Sequence, residues 1–256
     1  MNIRTRIAAA AGIIAAASAV GIAVAALAAP AADPGGQAAA EEVVLGQGSD
    51  LFPSVTAADW VTYADHVIVV EAVSEEAIAP TAEELERGEG VIGRTVALSI
   101  EEVLWSREDA PVAAPSTWAY SALGWHFNEG DTTDVVEMAL ADFPRVEVGH
   151  QYVMAIRWQA AICDDDGEFT QAQWLGLGEG SEIPYDADTI GNGESEGTVQ
   201  DAAAFIAAAE DEPDQGVEEL LAGQGADAIV SALEDAKADT AAQAEAAEFA
   251  AMHPCV

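Results

Sequence analysis

The chain has 256 residues, 46 Asp plus Glu and only 8 Lys plus Arg, a formal net charge of −38. No acid precedes Asp33, so removing a segment that carries Arg4 and Arg6 leaves 6 cations against 46 acids, about −40. This balance argues against nucleic-acid binding, which rests on Lys and Arg displacing counterions, and against docking on an anionic membrane surface. The length allows one or two domains with a real core, although Ala inflates the hydrophobic fraction of 51%.

The first predicted element is an export signal. Met1 to Arg6 carries two arginines, Ile7 to Leu27 is uncharged, and Ala26-Leu27-Ala28 supplies small residues for cleavage after Ala28. The alternative is an uncleaved anchor, since 21 apolar residues can span a bilayer. Both readings put the remainder outside the cytoplasm, secreted or held at the cell membrane. Two cysteines, an even number in an exported chain, predict a Cys163–Cys255 disulfide.

Residues 29–50 read as a flexible tether of Ala, Pro, Gly and acid. Every Trp and Tyr lies between Trp60 and Tyr185, so residues 51–192 must supply the main core. Thr56 caps a short helix over Ala57 to Ala64, and Val67 to Val73 is a strand buried on both faces. Thr81 with Glu84 forms a capping box in the connection ending at Gly88 and Gly90. Val91 to Trp105 is a long strand, with a bulge or edge position near Glu102 resetting its register.

Thr117 to Phe127, Thr133 to Ala139 and Tyr152 to Trp158 continue an all-β meander. Asp164-Asp165-Asp166-Gly167 then turns the chain into Phe169 to Leu175. Gly176 to Thr198 holds six glycines around one short edge strand at Ile183 to Ile190. Residues 193–256 form an acidic, Ala-rich helical tail, with helices over Ala202–Glu210, Gly216–Ala222 and Ala226–Met252.

Several strings have a familiar order: Ala64-Asp65-His66 before Val67-Ile68-Val69-Val70-Glu71-Ala72-Val73-Ser74, then Val96 to Leu104, then Val148-Gly149-His150-Gln151-Tyr152-Val153-Met154-Ala155. Over roughly Ala57 to Ile190 this resembles the netrin-module and TIMP-like OB barrels found among exported bacterial proteins. The resemblance implies a mainly β fold, a small OB-like antiparallel barrel to which the helical tail is attached. It does not carry metalloprotease inhibition, because that family's N-terminal cysteine is absent here and the first cysteine is Cys163.

Candidate chemistry is sparse. His66, His126, His150 and His253 have no zinc-ligand spacing, and no hydrolase elbow or dinucleotide loop occurs. Asp164, Asp166 and Glu168 offer oxygens suited to Ca²⁺. The EF-hand pattern fails there, with Ile162 in the first ligand position, and a plain hairpin turn competes. No other cofactor is expected. Trp118, Trp125, His126 and Phe127 are the densest aromatic cluster, either core or a binding platform.

The leading expectation is a non-enzymatic binding module. Trp125, His126 and Asp131, with the Asp164 to Glu168 loop, would meet an extracytoplasmic protein or envelope component of basic character. A hydrolase using scattered carboxylates is the competing class. A charge that serves only solubility in salty surroundings is the third.

Overall fold

The computed structural model describes residues 43–163, 169–209 and 216–250, which all belong to one compact unit. The export segment lies outside them. Among the described residues no helix is long and apolar enough to cross a membrane. The fold is mainly β, with twelve strands and six α-helices described.

Local chemistry sets the early elements. Thr56 caps α1 (Ala57–Tyr63): the Asp59 N–H donates to Thr56 Oγ1 at 3.1 Å, and the Thr56 N–H donates to the Asp59 carboxylate at 2.8 Å. The same box at Thr81 and Glu84 opens α2 (Ala82–Arg87) between β2 (His66–Ile78) and β3 (Gly90–Ser106). Pairing of β2 with β3 passes from Val67↔Trp105 to Ile68↔Val103, and from Val69↔Glu102 to Val70↔Ile100. The bulges therefore skip Leu104 and Glu101, on either side of the reset expected near Glu102.

The remaining strands of the main sheet are β1 (Val44–Gly46), β4 (Thr117–Phe127), β5 (Val135–Leu140), β6 (Gln151–Gln159), β9 (Gln173–Gly176) and β10 (Glu182–Pro184). Their order is β1-β5-β4-β3-β2-β6-β10, and β9 also pairs with β6. Between them β7 (Ile162–Cys163) pairs with β8 (Phe169–Thr170), flanking the acidic turn. After the edge strand, β11 (Gly193–Ser195) pairs with β12 (Thr198–Gln200), so the tail expected to be helical from residue 193 begins with a short hairpin.

Period-2 alternation sends side chains of the central strands to two separate cores. Ile68 and Val70 of β2, Val96 and Leu98 of β3, Trp118 of β4, and Tyr152, Met154 and Ile156 of β6 share the inner face. Val67, Val69, Val153 and Ala155 point the other way, against Trp60, Ile183, Val217, Ile229 and Leu233. Covering both faces is what makes Val67 to Val70 uniformly apolar. Each fully buried Ile or Met there contributes about 1.5–3 kcal/mol relative to exposure.

Three expectations need correction. The stretch 29–50 is not wholly a tether, because β1 lies in it and pairs in parallel with β5. No closed barrel is found: among the described residues the strand order is an open path. Neither edge offers a ladder long enough to close it, since β1 is three residues long and the Leu177 to Ser181 turn separates β9 from β10. The helix expected over 226–252 is two, α5 (Ala226–Asp235) and α6 (Thr240–Ala250), which follow α3 (Ala202–Ala209) and α4 (Val217–Leu221). Asp239 starts α6 by accepting from the Ala241 and Ala242 N–H groups at 2.9 and 3.1 Å, while its own N–H donates to Thr62 Oγ1 on α1 at 3.0 Å.

Candidate functional site

Two buried positions of the sheet region carry charge where a packed interior leads one to expect hydrocarbon. Arg94 of β3 and Arg145, after β5, are 0% and 4% exposed. Backbone carbonyls and carboxylates surround them. Arg94 donates to Leu123 O at 2.8 Å, Arg145 O at 2.5 Å and Glu75 Oε2 at 2.5 Å. Arg145 donates to Met138 O and Gly124 O, both at 2.9 Å, and pairs with Glu147 and Glu137. Burial, and then the charge of Arg94, push Arg145 below its ordinary value. Glu194, 1% exposed, accepts the N–H groups of Arg145 and Val146 and the Tyr152 hydroxyl. Both guanidinium groups lie over the Trp125 ring, at 5.9 and 5.4 Å from its centroid.

Along β4 from this cluster lies a pocket of about 340 Å³. Its lining comes from both ends of the strand order. Gly48 to Asp50, Trp118 to Ser121, Leu140 and Phe143 belong to the β1, β5 and β4 side, and Gln173 to Gly176, Gly178 and Glu182 to the β9 and β10 side. The pocket is therefore the unclosed seam of the sheet. Trp118 and Tyr120 sit on alternate positions of β4 and meet edge to face at 5.0 Å. Trp174 packs against Trp158 at 5.1 Å and His66 at 5.4 Å.

Glu182 is the chemically unusual member. It pairs with Met154, an inner-face residue, so its side chain enters the concave interior and is 3% exposed. The Tyr120 hydroxyl donates to Glu182 Oε2 at 2.8 Å. Burial pushes the Glu182 carboxyl up to about 8; the Tyr120 hydrogen bond works against this and the Asp50 charge adds to it. At neutral pH the seam thus holds a protonated carboxylic acid. Burial also raises Tyr120 well above its ordinary range, so its phenol keeps its proton.

Two glycines accommodate the carboxyls. A Cβ on Gly176 would collide with Glu182 Oε1, and one on Gly178 would collide with the Asp50 carboxylate. Leu177 between them is 4% exposed and packs into the outer-face core. Ser54 donates to Asp50 and accepts from the Gly180 N–H at 3.1 Å, which ties the β1 side to the turn after β9. Gly176→Ala is expected to destabilise by about 1–3 kcal/mol through overpacking. In urea titrations the Gly176→Ala/Glu182→Ala double variant should lose less than the two single losses combined. Strict additivity would show that Glu182 does not require this glycine.

The sequence-predicted residues are scattered. Trp125 is half-buried beneath the two arginines; His126 Nδ1 lies 3.3 Å from Asn128 Nδ2; Asp131 is exposed and accepts from the Thr133 N–H and hydroxyl at 2.9 and 2.7 Å. Those Thr133 bonds hold Asp131 below its ordinary value. The four-member aromatic cluster separates: Trp118 lines the seam and Phe127 is fully buried. Asp164, Asp166 and Glu168 lie outside the described residues. So does Cys255, the partner expected for Cys163 at the end of β7. His66 is held by Ser106 Oγ and Val112 O, both at 2.8 Å, and His150 by Asp186 at 2.6 Å. Among the described residues no group of three or more metal-ligating side chains converges.

Sequence reasoning missed Glu182, Asp50 and the arginine pair. The one available signal was Gly176-Leu177-Gly178, whose alternate glycines leave room on a single face. No protein family, curated protein or solved structure matches this chain.

Proposed function

We propose that the protein is an exported, non-enzymatic binding module whose ligand occupies the seam pocket. One observation carries this reading: a cavity walled by Trp118, Tyr120 and Trp174 contains a buried acid, Glu182, whose Oε2 accepts from the Tyr120 hydroxyl. Apolar walls with a few fixed polar groups are the usual make-up of a ligand site, and 340 Å³ falls at the lower end of the range of about 300–1,000 Å³. Export rests on the N-terminal segment and on the expected Cys163–Cys255 pair. The β2–β3–β4 meander, with β6 returning onto β2, supports an opened OB-like barrel. The surface carries the acidic excess toward basic partners.

Indole NMR of the purified chain against a mixture of small polar, cationic and aromatic fragments tests the pocket. The Trp118 and Trp174 signals are expected to move, and Trp118→Ala should abolish the response at Trp174. If both signals stay still, or only Trp125 responds, the pocket is not the ligand site.

The acid pair favours one second reading, a hydrolase in which neutral Glu182 donates a proton and Asp50 supplies the carboxylate. Turnover of a panel of glycosides and esters, abolished by Glu182→Gln with binding retained, would establish it. Binding without turnover leaves the module reading in place.

A further inference from the structure

Aromatic rings beside carboxylates recur in this molecule, and elsewhere the chain fills them with its own arginines. Arg94 and Arg145 cover Trp125 among Glu75, Glu137 and Glu147. Arg157 lies over Phe52 at 4.2 Å, with Asp65 in electrostatic reach. The seam has the same components, Trp118, Tyr120 and Trp174 with Asp50 and Glu182, yet among the described residues no Lys, Arg or His lines it. Ring faces are negative and attract cations, most strongly where water is excluded. A chain of net charge −38 also concentrates cations around itself.

Building on the pocket reading above, we infer that the seam binds a small organic cation, an alkylammonium group held against Trp118, Tyr120 and Trp174 and neutralised by Asp50 and Glu182. Binding drives a proton off Glu182. The cation replaces that proton as the partner of the buried carboxyl, and no other bond is made or broken. The groups facing Glu182 are the Tyr120 phenol on β4 and the Asp50 carboxylate after β1; Arg94 acts on Tyr120 from farther along the sheet. A neutral polyol stacked on the tryptophans would not displace the proton.

The experiment is calorimetric titration of the purified chain with choline chloride and with 3,3-dimethylbutanol, in which carbon replaces the charged nitrogen. Runs in buffers of different ionisation enthalpy count the protons released. The ammonium probe is expected to bind at least about tenfold more tightly than its neutral counterpart. Its affinity should rise by up to about tenfold per pH unit between pH 6 and 8, then level off. Glu182→Gln should remove proton release and the pH slope; Asp50→Asn should weaken binding while proton release persists. Near-UV circular dichroism establishes that each variant is folded.

Equal affinity for the two probes, or binding with no proton released, overturns the inference and leaves the pocket reading standing. Failure of both probes to bind also overturns it. The pocket reading falls separately, only if the fragment mixture leaves Trp118 and Trp174 unmoved as well.

Discussion

Arg145→Met is expected to lower the unfolding free energy by about 3–5 kcal/mol, the range found when one partner of a buried ion pair is removed. The hydrocarbon of Met fills much of the same volume, so lost packing is the smaller part. The larger part comes from stranding acids: Glu147 loses a direct partner, and Glu194, 1% exposed, loses a positive charge in electrostatic reach. Met138 O and Gly124 O lose their donors in the same step. Arg145→Lys should recover only part of the loss, because one ammonium cannot reach two carbonyls and two carboxylates with the geometry of a planar fork. Tyr152→Phe, which removes one bond to Glu194 and one from the Glu147 N–H, should lower stability by about 1–2 kcal/mol. Urea unfolding of the three variants measures this. Losses below about 1 kcal/mol for Arg145→Met would mean that the cluster is solvated and not structural.

Glu182→Gln carries the second large effect, and its sign reverses the usual expectation for a carboxylate. Unfolded, Glu182 titrates near 4.5; folded, near 8. Between these values the unfolded chain has lost a proton that the folded chain keeps, so this residue makes stability fall as pH rises. Below about pH 4.5 the penalty is absent, and above about pH 8 it is complete. Gln cannot ionise, yet its amide oxygen still accepts from Tyr120. The variant should therefore match the wild type at pH 4 and exceed it at pH 8. The upper bound on the gain is about 5 kcal/mol, from 1.36 kcal/mol per unit of pKa. Glu218 on α4 is also pushed up to about 8, by burial and by Glu219. The wild-type curve contains both groups, and the difference between the two proteins isolates Glu182. A difference that does not grow with pH would show that Glu182 is ionised when folded.

What could be read from the sequence was local. Thr56 with Asp59 and Thr81 with Glu84 announce their helices because a capping box closes within four residues. The ends of β4 coincide with the predicted Thr117 and Phe127 because apolar and aromatic residues run between clear turn signals. The site was hidden because its logic is non-local. Alternation around Ile183 assigns Glu182 to a polar, outward face, but the strand is covered on both sides and its partner Tyr120 lies 62 residues away. Nothing local marks Arg94 and Arg145 as buried, because Glu75 lies 19 residues from Arg94 and Glu194 lies 49 from Arg145. The break before α6 is equally invisible, because it depends on the contact between Asp239 and Thr62 across 177 residues.

Carbon-detected NMR titration of the Glu182 carboxyl, assigned with Glu182→Gln and repeated in the presence of choline chloride, tests the account most directly. It predicts a midpoint near 8 in the free protein and at least about one unit lower with the ammonium probe bound. A carboxyl that titrates near 4.5 and is unmoved by the probe would contradict both the buried acid and the cation site built on it.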